Sequence, residues 1–213
     1  ETALLLNVLP SSIAARLKES PDVIADRFES ATILFADIVG STPLFARLTP
    51  EEAVESLNLV FSEFDSLLES HGVEKVRTIG DAYMVVAGAP TSRADHAEAV
   101  CSLALAMVDT ISSLRISSGE ELEFRFGINS GPMVGGIIGT HRFHYDLWGD
   151  TVNVAARMES QGVPGRIHVT EATRSLLPTG WELEARGSVD VRGKGPMETF
   201  FLTSAPDQST PLH

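Results

Sequence analysis

The apolar positions change period along the chain, and each change marks an element. Residues 31–38 form a nearly continuous apolar run, "ATILFADI", too rich in β-formers and too short for a helix, and read as a buried strand. Over 49–72 the spacing becomes helical, with Val54, Leu57, Phe61, Phe64 and Leu68 recurring every three or four residues. Thr49 suits the N-cap with Glu52 three residues on, Pro50 suits the first turn, and Gly72 suits the stop. Two strands are predicted at about 73–78 and 82–87, joined by the tight turn Ile79-Gly80-Asp81. A helix is predicted over 92–114 and a strand over 121–131. The order β-α-β-β-α-β predicts an α+β fold: a ferredoxin-like βαββαβ core sheet with its helices on one face. A glycine-rich pair of strands (132–147), a helix (about 150–160) and short strands near 166, 183 and 199 extend it. Ahead of the core, residues 4–18 read as an amphipathic lead-in: Pro10 and two serines start a helix, and Ile13, Ala14 and Leu17 share one face. The tail, "SAPDQSTPLH", is polar and is expected to be disordered.

Composition narrows the class. A chain of 213 residues, 43% hydrophobic, makes one domain with short appendages. No stretch reaches the roughly 18–20 apolar residues of a membrane span, and no secretory signal is visible. Opening on Glu1 rather than Met, the chain is expected to be part of something longer. The net charge of −13 argues against nucleic-acid binding, which needs a basic footprint. It also means that an anionic substrate would need metal ions or local cations. The one cysteine, Cys101, lies in an apolar helical stretch and reads as a small buried hydrophobe; one cysteine allows no disulfide within the chain, which fits a reducing compartment.

The candidate chemistry begins where the first strand ends on Asp37, followed by Gly40-Ser41-Thr42. A second acid, Asp81, stands 44 positions later (81 − 37) in the hairpin turn. Singly, each also suits a strand end or a turn. On a split βαβ sheet the two can converge at one edge, which is costly unless a cation lies between them. Mg²⁺ or Mn²⁺ suits two carboxylates and leaves room for phosphate oxygens. The small-residue turn offers backbone N–H groups and a helix start to a phosphate. "GPMVGGIIG" lacks the spacing of a dinucleotide loop, and the six histidines show no ligand spacing.

The stretches "LFADIVGST", "VEKVRTIGDAYM", "FRFGINSGPMVGGIIG", "YDLWGDTVNVAARMES" and "VRGKGPMETFFL" resemble the catalytic domain of class III nucleotidyl cyclases, most closely mycobacterial-type homodimeric, membrane-anchored adenylyl cyclases. The resemblance covers residues 29–203, leaving 1–28 as a connector and 204–213 as a tail. It implies cyclisation of ATP to 3′,5′-cyclic AMP and pyrophosphate with two divalent cations, Mg²⁺ or Mn²⁺. Asp37, Asp81 and the Ile38 carbonyl match the metal ligands. Asn153 matches a ribose-orienting residue, and Arg157 one that stabilises charge on the α-phosphate. Arg125 matches a phosphate contact, and so does Arg192, with Lys194 as its rival. Lys75 and Asp146 match the base-reading pair: a donor and an acceptor that suit adenine N1 and N6. Ala156 replaces a serine common in the family, with no evident chemical loss.

The resemblance further implies a homodimer with two shared sites. One protomer would give the acids and Arg125, the other Lys75, Asp146, Asn153 and Arg157, with Phe143, Tyr145 and Trp148 as candidate interface anchors. It places the chain in the cytoplasm as a domain of a membrane-anchored protein, itself touching neither membrane nor nucleic acid. A guanylyl or dual-specificity cyclase and a silent nucleotide-binding dimerisation module are the competing readings. The intact set Asp37, Asp81, Asn153 and Arg157 weighs against the second, and the "VNVAARM" helix against a palm-type polymerase or diguanylate cyclase.

Overall fold

The computed structural model describes residues 8–19, 23–138 and 144–206. Helix α1 (Ser11–Glu19) leads into strand β1 (Ala25–Ile38), the short helix α2 (Ser41–Phe45) and the long helix α3 (Pro50–His71). The hairpin β2 (Glu74–Ile79) and β3 (Ala82–Ala87), helix α4 (His96–Ser113) and strand β4 (Phe124–Ile138) complete the core. Then come β5 (His144–Trp148), α5 (Asp150–Ser160), β6 (Ile167–Thr170), α6 (Glu171–Arg174), β7 (Glu182–Val191) and β8 (Gly195–Ser204).

The strands make one sheet in the order β2-β3-β1-β4-β6-β8-β7, with β5 paired to β4. The four-strand heart, β2-β3-β1-β4, is the antiparallel pairing of a ferredoxin-like core. The alternation along β1 shows why its sequence is apolar throughout. Leu34, Ala36 and Ile38 face a cluster formed with Val60 and Phe64 of α3 and with Val100, Leu103 and Met107 of α4. Ile33 and Phe35 face a second cluster formed with Ile13 and Ala14 of α1 and with Val152 and Ala155 of α5. The two core helices, α3 and α4, lie on one face as expected, and α1 and α5, which lie outside the βαββαβ core, cover the other. A strand buried on both sides has no polar alternation to show where its second layer comes from.

Two elements depart from expectation in register. On α3 the buried stripe runs through Ser56, Val60 and Phe64, with Leu57, Phe61 and Leu68 flanking it; Val54, expected on the stripe, is 67% exposed. Strand β4 runs unbroken through Gly131 and the glycines of "GPMVGGII" where a separate pair of strands was expected, and only β5 is new. The start and stop of α3 are as the sequence predicts. Thr49 Oγ1 accepts from the Glu52 amide at 3.2 Å, Glu52 Oε2 accepts from the Thr49 amide at 2.8 Å, and Gly72 closes the helix at φ 61°. The α1 face predicted from Ile13, Ala14 and Leu17 is seated on the sheet. Cys101 is fully buried, and burial pushes its thiol well up from the usual range. The expected anchor Phe143, the start of the lead-in and most of the polar tail lie outside the described residues.

Candidate active site

Register brings the two acids together. Asp37, one residue from the end of β1, lies opposite Ala82 on one side and Arg125 on the other. Asp81 precedes Ala82 in the hairpin turn, so it falls beside Asp37. The crowding is electrostatic as well as spatial: burial first, then the charge of Asp81, push the Asp37 carboxyl up, and Arg125 only partly opposes this. Two carboxylates held this close are hard oxygen donors short of positive charge. With the Ile38 carbonyl nearby, that donor set fits Mg²⁺ or Mn²⁺ and leaves positions for phosphate oxygens and water. Among the described residues no group of three or more His, Cys, Asp or Glu side chains is arranged to hold a metal ion alone.

Arg125 is the cation of this cluster. Its Nη2 lies 3.5 Å from Asp37 Oδ2, its Nε 3.2 Å from Glu159 Oε1, and its Nη1 donates to the Ser160 carbonyl at 3.5 Å. Sequence reasoning missed Glu159. Burial and the charge of Asp37 push its carboxyl up to about 7, against the pull of Arg125. The signal available was slight: an acid two residues after Arg157, with nothing to say that the end of α5 reaches the metal acids. Gly127 is why it does. A Cβ there would stand 2.0 Å from the Glu159 amide nitrogen and 2.6 Å from the Ala155 carbonyl oxygen, so only glycine lets α5 lie against β4 at this depth.

The turn after β1 bends through Gly40 at φ 64° and starts α2 at Ser41. The first amides of that turn, Ser41 and Thr42 among them, have no partner within the helix.

On α5, Asn153 and Arg157 stand one above the other and line a cavity of about 720 Å³ together with Arg192. Neither of their side chains makes a hydrogen bond or an ion pair among the described residues. The turn between β7 and β8 separates the two rival cations. Arg192 faces this cavity, whereas Lys194 Nζ is held 2.5 Å from Asp150 Oδ2.

The two residues expected to read the base do not meet. Lys75 was expected to work with Asp146, but its Nζ donates to both oxygens of Asp65, at 2.8 and 3.0 Å, and lies over the Tyr83 ring. The cause is a bulge in β2. Lys75 pairs with Val85 and Arg77 with Met84, so Val76 has no opposite number and the two cations emerge on opposite faces. Arg77 is the one that reaches Asp146, Nη2 to Oδ2 at 3.2 Å. Asp146 is buried and also accepts from the Leu147 amide at 2.9 Å. A bulge that reverses side-chain facing leaves no mark in a composition or spacing pattern.

Of the expected interface anchors, Tyr145 is 1% exposed and packs in the cluster beneath α1, so it is corrected to a core residue. Trp148 is 38% exposed and shares an open face with its cross-strand partner Val134. Among the described residues no helix is long and apolar enough to cross a membrane.

Comparison with known proteins identifies the family. Residues 23–204 match the family described as adenylate and guanylate cyclase catalytic domain. An adenylate cyclase of Mycobacterium tuberculosis is 44% identical over 201 residues, covering 94% of this chain and 45% of the relative. The guanylate cyclase soluble subunit beta-2 of Rattus norvegicus is also 44% identical over 201 residues, covering 93% of this chain and 30% of the relative. The crystal structure of the guanylate cyclase domain of RhGC from Catenaria anguillulae, in complex with GTP, superposes with a TM-score of 0.83 at 36% identity, covering 84% of this chain and 99% of that one. The chain thus spans less than half the length of these two curated relatives, one an adenylate cyclase and one a guanylate cyclase subunit, and is 44% identical to each.

Proposed function

Because the chain belongs to the adenylate and guanylate cyclase catalytic-domain family, we propose that it cyclises ATP to 3′,5′-cyclic AMP and pyrophosphate at composite sites of a homodimer. The observation that carries this reading is the cluster of Asp37, Asp81 and Arg125 at one sheet edge. It supplies a cation site but none of the groups that would grip the ribose or the base. Those groups, Asn153, Arg157, Arg77 and Asp146, belong to α5 and to the β2–β5 boundary of the same chain. Two copies related by a twofold axis would join each half to its complement twice. The open face carrying Val134 and Trp148 supports such pairing.

In this reading the ribose 3′-oxygen forms a bond to the α-phosphorus, the bond to the pyrophosphate oxygen breaks, and the hydroxyl proton is released. Cations at Asp37, Asp81 and the Ile38 carbonyl would lower the pKa of the hydroxyl and neutralise the leaving pyrophosphate. Asn153 orients the ribose. Arg157 offers a guanidinium that stays charged and meets the equatorial oxygens of the α-phosphate as charge builds there. Arg125, Arg192 and the Ser41 and Thr42 amides after Gly40 hold the remaining phosphates, while Lys194 keeps its place on Asp150.

For the base, Asp146 accepts from the adenine amino group and Arg77, rather than Lys75, donates to N1. An unmatched buried polar group costs roughly 1–3 kcal/mol, so this pair can discriminate between purines. A second reading, cyclisation of GTP as well, is favoured by one feature. The fork of Arg77 also suits the paired acceptors O6 and N7 of guanine, which the point charge of a lysine does not. The test is cyclic-nucleotide formation by the purified chain from ATP and from GTP, each with Mn²⁺ and Mg²⁺. Cyclic AMP is expected. No cyclic nucleotide under any of the four conditions would reject catalysis and leave the silent-module reading.

A further inference from the structure

Glu159 is the one group of the metal-side cluster that the proposed reaction leaves without a task. Its side chain is 13% exposed, and it faces Arg125, whose own side chain is 29% exposed. It stands two residues beyond Arg157 on α5 and lines the same cavity of about 720 Å³, at the end where the helix meets Arg125. The helix end that carries it is fixed by the close approach at Gly127 and by a bond from the Arg125 guanidinium to the Ser160 carbonyl.

Three oxygens therefore surround the Arg125 guanidinium, that of Glu159 by charge rather than by a hydrogen bond, since neither Arg125 Nε nor Glu159 Oε1 has a hydrogen-bond partner among the described residues. Nε turns to Glu159, Nη1 to Ser160, and only Nη2 reaches Asp37, at 3.5 Å. An arginine beside a lone carboxylate closes to a forked pair at about 2.7–2.9 Å and occupies both oxygens. Here that closure is withheld, because the Nε edge is held toward α5. The distances matter for a cation site: an Asp37 paired by both oxygens to Arg125 would have to give up that pair before it could hold a metal ion.

We propose that Glu159 is a positioning residue of the metal half-site, holding Arg125 off Asp37 so that the Asp37 oxygens stay open to a cation. The proposal rests on the assignment of Asp37 and Asp81 as metal ligands. Glu159 acts through Arg125 rather than by holding the metal ion itself. Glu159→Gln keeps the shape and removes the charge that anchors Nε. Arg125 then swings onto Asp37 and competes with the cation.

The experiment titrates Mn²⁺ alone, with free ion read by electron paramagnetic resonance, into the purified wild-type chain, Glu159→Gln, Arg125→Ala and the double variant, each first shown to melt cooperatively. The Mn²⁺ dissociation constant should rise about tenfold in Glu159→Gln, the equivalent of one pKa unit of lost interaction. In the Arg125→Ala background the same substitution should do nothing, because the competitor is gone. An equal loss in both backgrounds would show that Glu159 attracts the cation directly, and no loss in either would show that it is a structural acid; both overturn the proposal. In turnover the Mn²⁺ concentration for half-maximal rate should rise in step, with kcat within about twofold of wild type, whereas a fall in kcat alone would overturn it. A wild-type chain that binds Mn²⁺ but makes no cyclic nucleotide would sink the cyclase reading and still decide the role of Glu159.

Discussion

Arg77 and Asp146 meet at 3.2 Å across the β2–β5 boundary, while Lys75, two positions before Arg77, is held by Asp65 on the other face of the sheet. The two cations look interchangeable in the string "EKVRTIGD" and are not. Arg77→Ala should lower kcat/KM for ATP by about 10- to 100-fold, the worth of one charged hydrogen bond of roughly 1.5–3 kcal/mol. Lys75→Ala should leave the ATP-to-GTP ratio within about twofold and act on stability instead. Steady-state rates with both nucleotides check the pair; a Lys75 variant that alone changes the ratio would return the base-reading role to it.

Shared sites predict complementation. Asp37→Ala and Arg157→Ala should each lower activity by about two orders of magnitude or more, in line with the loss of one charge-stabilising group. Mixing the two should restore up to about a quarter of wild-type activity, since half of a random mixture is heterodimer and each heterodimer keeps one intact site. The measurement is cyclic AMP formation after subunit exchange. Inactivity of the mixture, with exchange demonstrated, would exclude sites built across two chains.

Gly127 fixes the depth at which α5 lies against β4. Gly127→Ala places a carbon 2.0 Å from a backbone nitrogen, which no side-chain rotation relieves. A loss of about 3 kcal/mol is expected, a fall in Tm of roughly 6–12 °C for a chain of this size. Activity should fall further than stability, because Glu159 and Arg157 ride on the displaced helix. Thermal melting beside an activity assay at 20 °C separates the two effects.

Glu159 also predicts a pH dependence. Its carboxyl is pushed up to about 7, so the folded chain holds this proton more tightly than the unfolded chain does. The stabilisation is complete below the unfolded value of about 4.5 and is lost as pH rises through 7. His168, buried and neutral with its pKa lowered to about 4, has the opposite slope across part of that range. The test is therefore a difference: melting temperature against pH in the presence of a chelator, wild type minus Glu159→Gln. The difference should turn against wild type between about pH 5 and 8. A flat difference would mean that Glu159 titrates normally.

Much of this was legible because local chemistry and long-range packing agreed. The α3 capping box, the glycine stop, the helical period of α4 and the apolar run of β1 are decided by neighbours in sequence, and each lies where the pattern puts it. The pairing of Asp37 with Asp81 was also within reach, since a strand end and a hairpin turn on this topology have only one edge to share. Arg77, Glu159 and the cover on the second face were not. Each depends on a register, a bulge or a helix depth that leaves the hydrophobic period unchanged.

The sequence by itself determined the order of elements, the four-strand heart of the sheet and the identity of the acids, because hydrophobic period, capping and turn residues act over a few positions. Tertiary structure decided which cation faces Asp146, which carboxylate lies beside Arg125 and which of Arg192 and Lys194 lines the cavity with Arg157. Those outcomes follow from one unmatched residue at Val76, one missing Cβ at Gly127 and one ion pair at Asp150. Each sets the direction of a side chain through contacts made far away in sequence, and direction is what composition and spacing do not encode.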